Sequence, residues 1–148
     1  MKYLGILLAA ALSLPAFAHD EGHGPKLTDA GKMGGVLTAV VLAKDAKLGP
    51  EAPLVYKAEL TRADDGTVRV YFYDKDMKPL DASVLPKSAE AFLQSKKKKK
   101  WTSVPFKLIR TDEGYEGKAP KPSGKPFNID VKIKEGAREL LAAFDGLD

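Results

Sequence analysis

The chain has 148 residues, 44% of them hydrophobic and 30% charged, with a formal net charge of +4 and no cysteine. One domain fits this length, and a chain of this size buries roughly two-thirds of the surface it exposes when unfolded, enough for a packed core. The missing cysteines exclude disulfides and lipid attachment at a thiol, and so mild a positive balance is no signature of nucleic-acid binding.

Residues 1–18 read as a secretory signal peptide. Lys2 supplies the positive start, "YLGILLAAALSL" is an apolar run too short to span a bilayer, and "AFA" offers small residues at −3 and −1. Cleavage after Ala18 would send a periplasmic or secreted protein out with His19 at its front. Residues 19–31 are expected to form a flexible leader and 32–148 a single domain. No second apolar run approaches 18 residues, so the cleaved chain is not expected to be an integral membrane protein.

Beyond the leader the dominant period is two. "GGVLTAVVLAK" at 34–44 is apolar almost throughout, as for a strand covered on both sides or crossing an edge. In "LVYKAEL", Leu54, Tyr56, Ala58 and Leu60 share one face, while Lys57, Glu59 and Thr61 take the other, wet one. "ADDG" at 63–66 has the chemistry of a tight turn, so 53–63 and 67–74 should pair as a hairpin. "TVRVYFY" then alternates through Val68, Val70 and Phe72. "DKDMKP" and "TDEG" are further turns. "VPFKLIR" alternates through Val104, Phe106 and Leu108, and "APKPSGKP" at 119–126 is a Pro/Gly loop between layers. "PFNIDVKIK" sets Phe127, Ile129, Val131 and Ile133 against Asn128, Asp130, Lys132 and Lys134. Such alternation marks strands with one buried face.

Residues 87–94 and 137–144 fit strand or helix. Ala137, Leu140, Leu141 and Phe144 make a helical stripe, and propensity there favours helix. A regular series of short strands argues instead for a closing strand at 137–144. The expected fold is all-β: a two-sheet antiparallel immunoglobulin-like sandwich of about seven strands.

The chain has no G-x-S-x-G, P-loop or dinucleotide fingerprint, and its only histidines, His19 and His23, fall in the leader, away from any rigid triad. A non-enzymatic protein is expected. The acidic pairs at 64–65, 74–76 and 112–113 suit turns, where Asp bonds its own backbone; Asp74 and Asp76 lack the glycine and closing glutamate of a calcium loop. The charge feature that stands out is "KKKKKW": Lys96, Lys97, Lys98, Lys99, Lys100 and Trp101. Five like charges repel and need water around them, so they should form a hairpin tip. That tip could contact an anionic envelope component, such as phospholipid, lipopolysaccharide or an acidic protein.

"HDEGHG" at 19–24 suggests a metal site. An N-terminal histidine offers its α-amine and imidazole Nδ1 to one ion, with pKa values of about 8 and about 6.5, so both are readily deprotonated at neutral pH. Two nitrogens from one residue suit Cu(II) before zinc, and His23, Asp20 or Glu21 would complete the set.

Through "GKMGGVL", "VYKAEL", "GTVRVYFYDKDMKPLD" and "PFNIDVKIKEG" the chain resembles a family of small exported immunoglobulin-like proteins with a histidine-bearing mature N-terminus. Many of them come from gene neighbourhoods for heavy-metal efflux or copper resistance. Members often carry a histidine just before the double glycine, where this chain has Met33. The resemblance implies the sandwich fold, the exported address and a copper or zinc ion.

The leading expectation is therefore a monomeric periplasmic binding protein that handles a divalent metal through His19, with His23 and Asp20 assisting. The alternative is an interaction protein that docks on an anionic partner through Lys96–Lys100 and Trp101. An oxidative copper enzyme would need further rigid ligands, which the chain does not offer. Cu(II) titration of the mature protein, with and without one extra residue ahead of His19, tests the chelate. The native terminus should bind more tightly, and equal affinity in the two forms removes the amine from the site.

Overall fold

A computed structural model describes residues 24–148. Eight strands are present: β1 Val36–Leu42, β2 Tyr56–Arg62, β3 Thr67–Tyr73, β4 Ser88–Lys97, β5 Lys100–Arg110, β6 Gly114–Lys118, β7 Phe127–Glu135 and β8 Arg138–Leu147. All neighbours are antiparallel, and the sheet closes in the order β1-β2-β3-β6-β5-β4-β7-β8. The expectation of an all-β chain holds, but the two-sheet sandwich of about seven strands is corrected to an eight-stranded barrel. The cause lies in β1, which uses both of its edges. It pairs with β2 from Val36↔Leu60 to Val40↔Tyr56, and with β8 from Val40↔Ala142 to Leu42↔Leu140. No edge is left there for a second sheet to begin.

The β2–β3 hairpin forms where "ADDG" indicates, in register from Lys57↔Tyr73 to Arg62↔Val68. Both ambiguous segments are strands. In β8, Leu140, Ala142 and Phe144 point inward and are fully buried, while the outward Leu141 and Ala143 are nearly so. Hydrogen bonding to β7 on one side and β1 on the other outweighs the helix propensity of "ARELLAAF". The interior is filled by the predicted alternating sets: Val68, Val70 and Phe72 from β3, and Phe127, Ile129, Val131 and Ile133 from β7. Among the described residues, no helix is long and apolar enough to cross a membrane.

Two connections skip strands. Residues 74–87 cross one end of the barrel from β3 to β4, held down by Arg110, whose Nη1 donates to Leu85 O at 2.5 Å, and by Tyr115, whose hydroxyl donates to Pro86 O at 2.7 Å. Burial pushes the Tyr115 phenol up to about 12. Residues 119–126 cross the opposite end from β6 to β7.

The outer face of β1 and β2 is covered as well. The sequence places residues 19–31 in a leader; from Gly24 onward this segment lies against the barrel. Leu27, with Ala46 of a 3-10 run (Ala43–Glu51) and Ala52 just after it, packs on Ala39 and Val41, and Asp29 pairs with the buried ammonium of Lys57. Lys57 and Glu59, expected on a wet face, are therefore buried.

Glu59 is 0% exposed, and among the described residues no lysine or arginine forms an ion pair with it. Its carboxylate instead accepts four hydrogen bonds, from the backbone N–H groups of Lys32 (2.9 Å), Met33 (2.9 Å) and Gly35 (2.8 Å) and from the Tyr73 hydroxyl (2.7 Å). "GKMGG" is the sequence that allows this. A Cβ on Gly31 would come within 2.3 Å of Glu59 Oε1, and Gly34 has φ +76°, a region open to glycine. Burial raises the carboxyl's proton affinity, but the four donors more than offset it and hold the pKa below 4.5. Burial and the bond to Glu59 push the Tyr73 phenol well above its ordinary value.

Glu59→Gln keeps the shape but loses the charge that these donors serve, and should cost roughly 3 kcal/mol in urea unfolding. Because the folded pKa lies below the unfolded one, this stabilisation is complete above about pH 4.5 and is lost as pH falls through the folded value. The wild type should thus lose stability with acid more steeply than Glu59→Gln, and parallel pH curves would contradict the cradle.

A candidate anionic-partner surface at one end of the barrel

Antiparallel alternation decides which residues share an end. β4 ends at Lys97 and β5 begins at Lys100, so the lysine run is the tip of the β4–β5 hairpin, as expected. β2 ends, β3 begins, β6 ends and β7 begins at the same end of the barrel. The tip is therefore brought together with Arg62, Lys118 and the crossing loop, which carries Lys121 and Lys125. Lys118, Lys121 and Lys125 are exposed, as are all five residues of the lysine run. The acidic groups at this end are fewer, and Asp65 is engaged with Lys118 at 3.1 Å. The Thr67 backbone N–H first, then the Thr67 side chain and Lys118, draw the Asp65 pKa down to about 2. Most acidic turn residues, Asp74, Asp76, Asp81, Asp112 and Glu113, stand at the opposite end. One end of the barrel is thus strongly basic, whereas at the other Lys75, Lys78, Lys87 and Arg110 offset these carboxylates.

The tip has an unusual local geometry. Lys98 (φ 48°) and Lys99 (φ 66°) form a two-residue turn with both residues in the left-handed region. A turn of this kind prefers Asn-Gly, and a residue with a Cβ is held there at a cost of about 1 kcal/mol. Lys96 and Trp101 are cross-strand partners, with Nζ of Lys96 6.0 Å from the centre of the indole, which remains 41% exposed. The crossing loop is fastened to the hairpin from inside. Ser123 Oγ lies 2.7 Å from Ser95 Oγ, and the Ser123 N–H donates to the same oxygen at 3.0 Å. Hairpin and loop thus form one basic unit.

The β5 strand meets the barrel unevenly. It pairs with β4 over its whole length but with β6 only at Ile109↔Glu116 and Arg110↔Tyr115. Below that point Val104, expected in the core with Phe106 and Leu108, is 42% exposed; Phe106 is half-buried and Leu108 fully buried. On the outer face of the same segment a groove of about 670 Å³ runs over Phe92, Pro105, Lys107, Lys132 and Glu139. Lys132 Nζ stands 5.2 Å over the Phe92 ring, and the charges along the groove alternate in sign.

The proposed metal ligands His19, Asp20 and His23 lie outside the described residues, as do residues 1–18. Among the described residues, no three His, Asp or Glu side chains converge as a metal site would require. Met33 lends its backbone N–H to Glu59 and leaves its side chain half exposed. The acidic pairs do turn work: Asp65 accepts from Thr67 N–H at 2.9 Å, and Asp74 accepts from Asp76 and Lys78 N–H at 2.8 and 2.9 Å. Sequence reasoning found the lysine run. It missed the company of Lys118, Lys121 and Lys125, whose signal is the paired lysines of "KPSGK" read together with strand order.

No protein-family model, curated protein or solved structure matches the chain.

Proposed function

We propose that this is a non-enzymatic interaction protein of the cell envelope that docks on an anionic partner through the basic end of its barrel. The observation that carries the reading is the tip itself. Two lysines occupy turn positions that asparagine and glycine would fill at lower conformational cost. Residues that violate a local rule without a folding gain are expected where function lies. The gathering of lysines supports it further: Lys96–Lys100, Lys118, Lys121 and Lys125 would concentrate attraction at one end, raising encounter rates with an anionic surface even though the net charge is small. Lysine stems flanking an exposed indole suit a contact that is part charge and part apolar.

Metal handling through His19, His23 and Asp20 belongs to the residues ahead of Gly24, and the Cu(II) titration tests it separately.

Replacing Lys96–Lys100 with serine tests the docking reading. The native protein should be retained on immobilised heparin and on anionic phosphatidylglycerol vesicles, and released as salt rises. The serine variant should lose most of that retention, and equal retention of the two would sink the reading. A milder variant separates stability from binding. Lys98→Asn with Lys99→Gly should stabilise the hairpin by about 1 kcal/mol in thermal or urea unfolding while weakening retention on heparin.

A further inference from the structure

The lower half of β5 is an open sheet edge. The Arg110 N–H donates to Lys87 O at 2.9 Å on the β4 side, and the Thr111 N–H to Gly114 O at 2.8 Å on the β6 side. Main-chain groups of alternate residues turn to opposite sides of a strand. The amides of Phe106 and Leu108 therefore face β4, whereas those of Ser103 and Lys107 face away from it. β6 leaves β5 after the Ile109↔Glu116 pair, and among the described residues no strand pairs with Ser103 or Lys107 on that side. The carbonyls of Ser103 and Pro105 face the same way and are open, whereas that of Lys107 lies against Gly117 of β6. Such a row of donors and acceptors is a template for an added strand.

The inner face of β5 is uncovered where the neighbour is missing: Val104 is 42% exposed. A strand laid along the edge would cover it. The charges select its composition. Lys100 and Lys107 flank the edge, with Lys118 at the end of β6, so an acidic strand is attracted. A second copy of β5 would bring lysine against lysine, and Pro105, which lacks an N–H on the open side, further disfavours self-pairing.

We propose that the open edge of β5, from Ser103 to Lys107, accepts an extended polypeptide of alternating acidic and apolar residues as an added strand. This names the partner of the basic end and rests on the docking reading above. Ser103 would donate one main-chain hydrogen bond and accept another, Lys107 would donate one, Pro105 would accept one, and apolar side chains of the guest would lie against Val104.

The probe is a capped peptide of alternating glutamate and valine, added to the full chain, with a lysine–valine peptide as control. Amide hydrogen exchange at Ser103 and Lys107 should slow on adding the Glu/Val peptide, and the lysine peptide should leave it unchanged. Ser103→Pro removes one donor that the fold does not use. It should weaken the Glu/Val peptide roughly tenfold while leaving the melting temperature and heparin retention as they are. Equal peptide affinity in Ser103→Pro, or peptide binding without protection at these two amides, overturns strand addition. Protection that appears without peptide and grows with protein concentration would mean a second copy sits there, and overturns it as well. Retention on heparin and on anionic vesicles with no response to the Glu/Val peptide would leave the basic-end reading standing and defeat this one alone. Retention unchanged by the Lys96–Lys100 serine variant would instead defeat the basic-end reading.

Discussion

The architecture hangs on one buried carboxylate. Glu59 sits on β2 with its oxygens turned outward, where a strand residue of its type would ordinarily meet water. Instead it gathers three backbone amides from residues 32–35 and the hydroxyl of Tyr73. An isolated charge taken out of water is costly, and donors aimed at both oxygens are what make it tolerable. The result is directional in a way an apolar contact is not: only a chain that turns tightly at "GKMGG" can present those amides together. Glu59 thereby fixes where the segment ahead of β1 lies, and the segment in turn covers Ala39, Val41 and Lys57. A β1 coated on its outer face, packed on its inner face and paired on both edges is the closing piece of the barrel.

Closure then determines the distribution of everything else. With β1 joined to both β2 and β8, the two strand-skipping connections must pass over the barrel's ends. One end is sealed by residues 74–87 through Arg110 and Tyr115, and the other by the Pro/Gly loop through Ser95 and Ser123. The long β4–β5 hairpin reaches past the short β6, so its outer part stands clear of the barrel. The open strand edge is a product of that mismatch in length between β5, at 11 residues, and β6, at 5.

Much of this was legible in the sequence, and the reasons are specific. Period-two runs identified the inward residues of β3 and β7 because each of those strands has one packed face along its whole length. The turn at 63–66 and the tip at 98–99 were legible because only a few residue types tolerate such corners, or because five like charges have nowhere else to go. Alternation distinguishes the two faces of a strand but carries no information about what covers the second one. Lys57 and Glu59 therefore read as wet, although a segment some 25 residues earlier lies over them. Val104 misled for the converse reason: its pattern is that of a core position, but the strand that would have covered it ends too soon. Sandwich or barrel was undecidable locally, since the choice depends on whether β8 reaches β1, a pairing between the two ends of the folded chain. Of the candidate sites, the lysine run was visible as composition, and its convergence with Lys118, Lys121 and Lys125 exists only in three dimensions.

Pro105 has a consequence for how this molecule behaves in a crowd. An unprotected β edge propagates: each molecule that pairs exposes a fresh template for the next, and growth along that axis is how fibres begin. A proline midway along β5 interrupts the run of donors, so the edge can hold one short guest but cannot be copied outward from molecule to molecule. Selective capture and resistance to polymerisation would then come from the same five-membered ring.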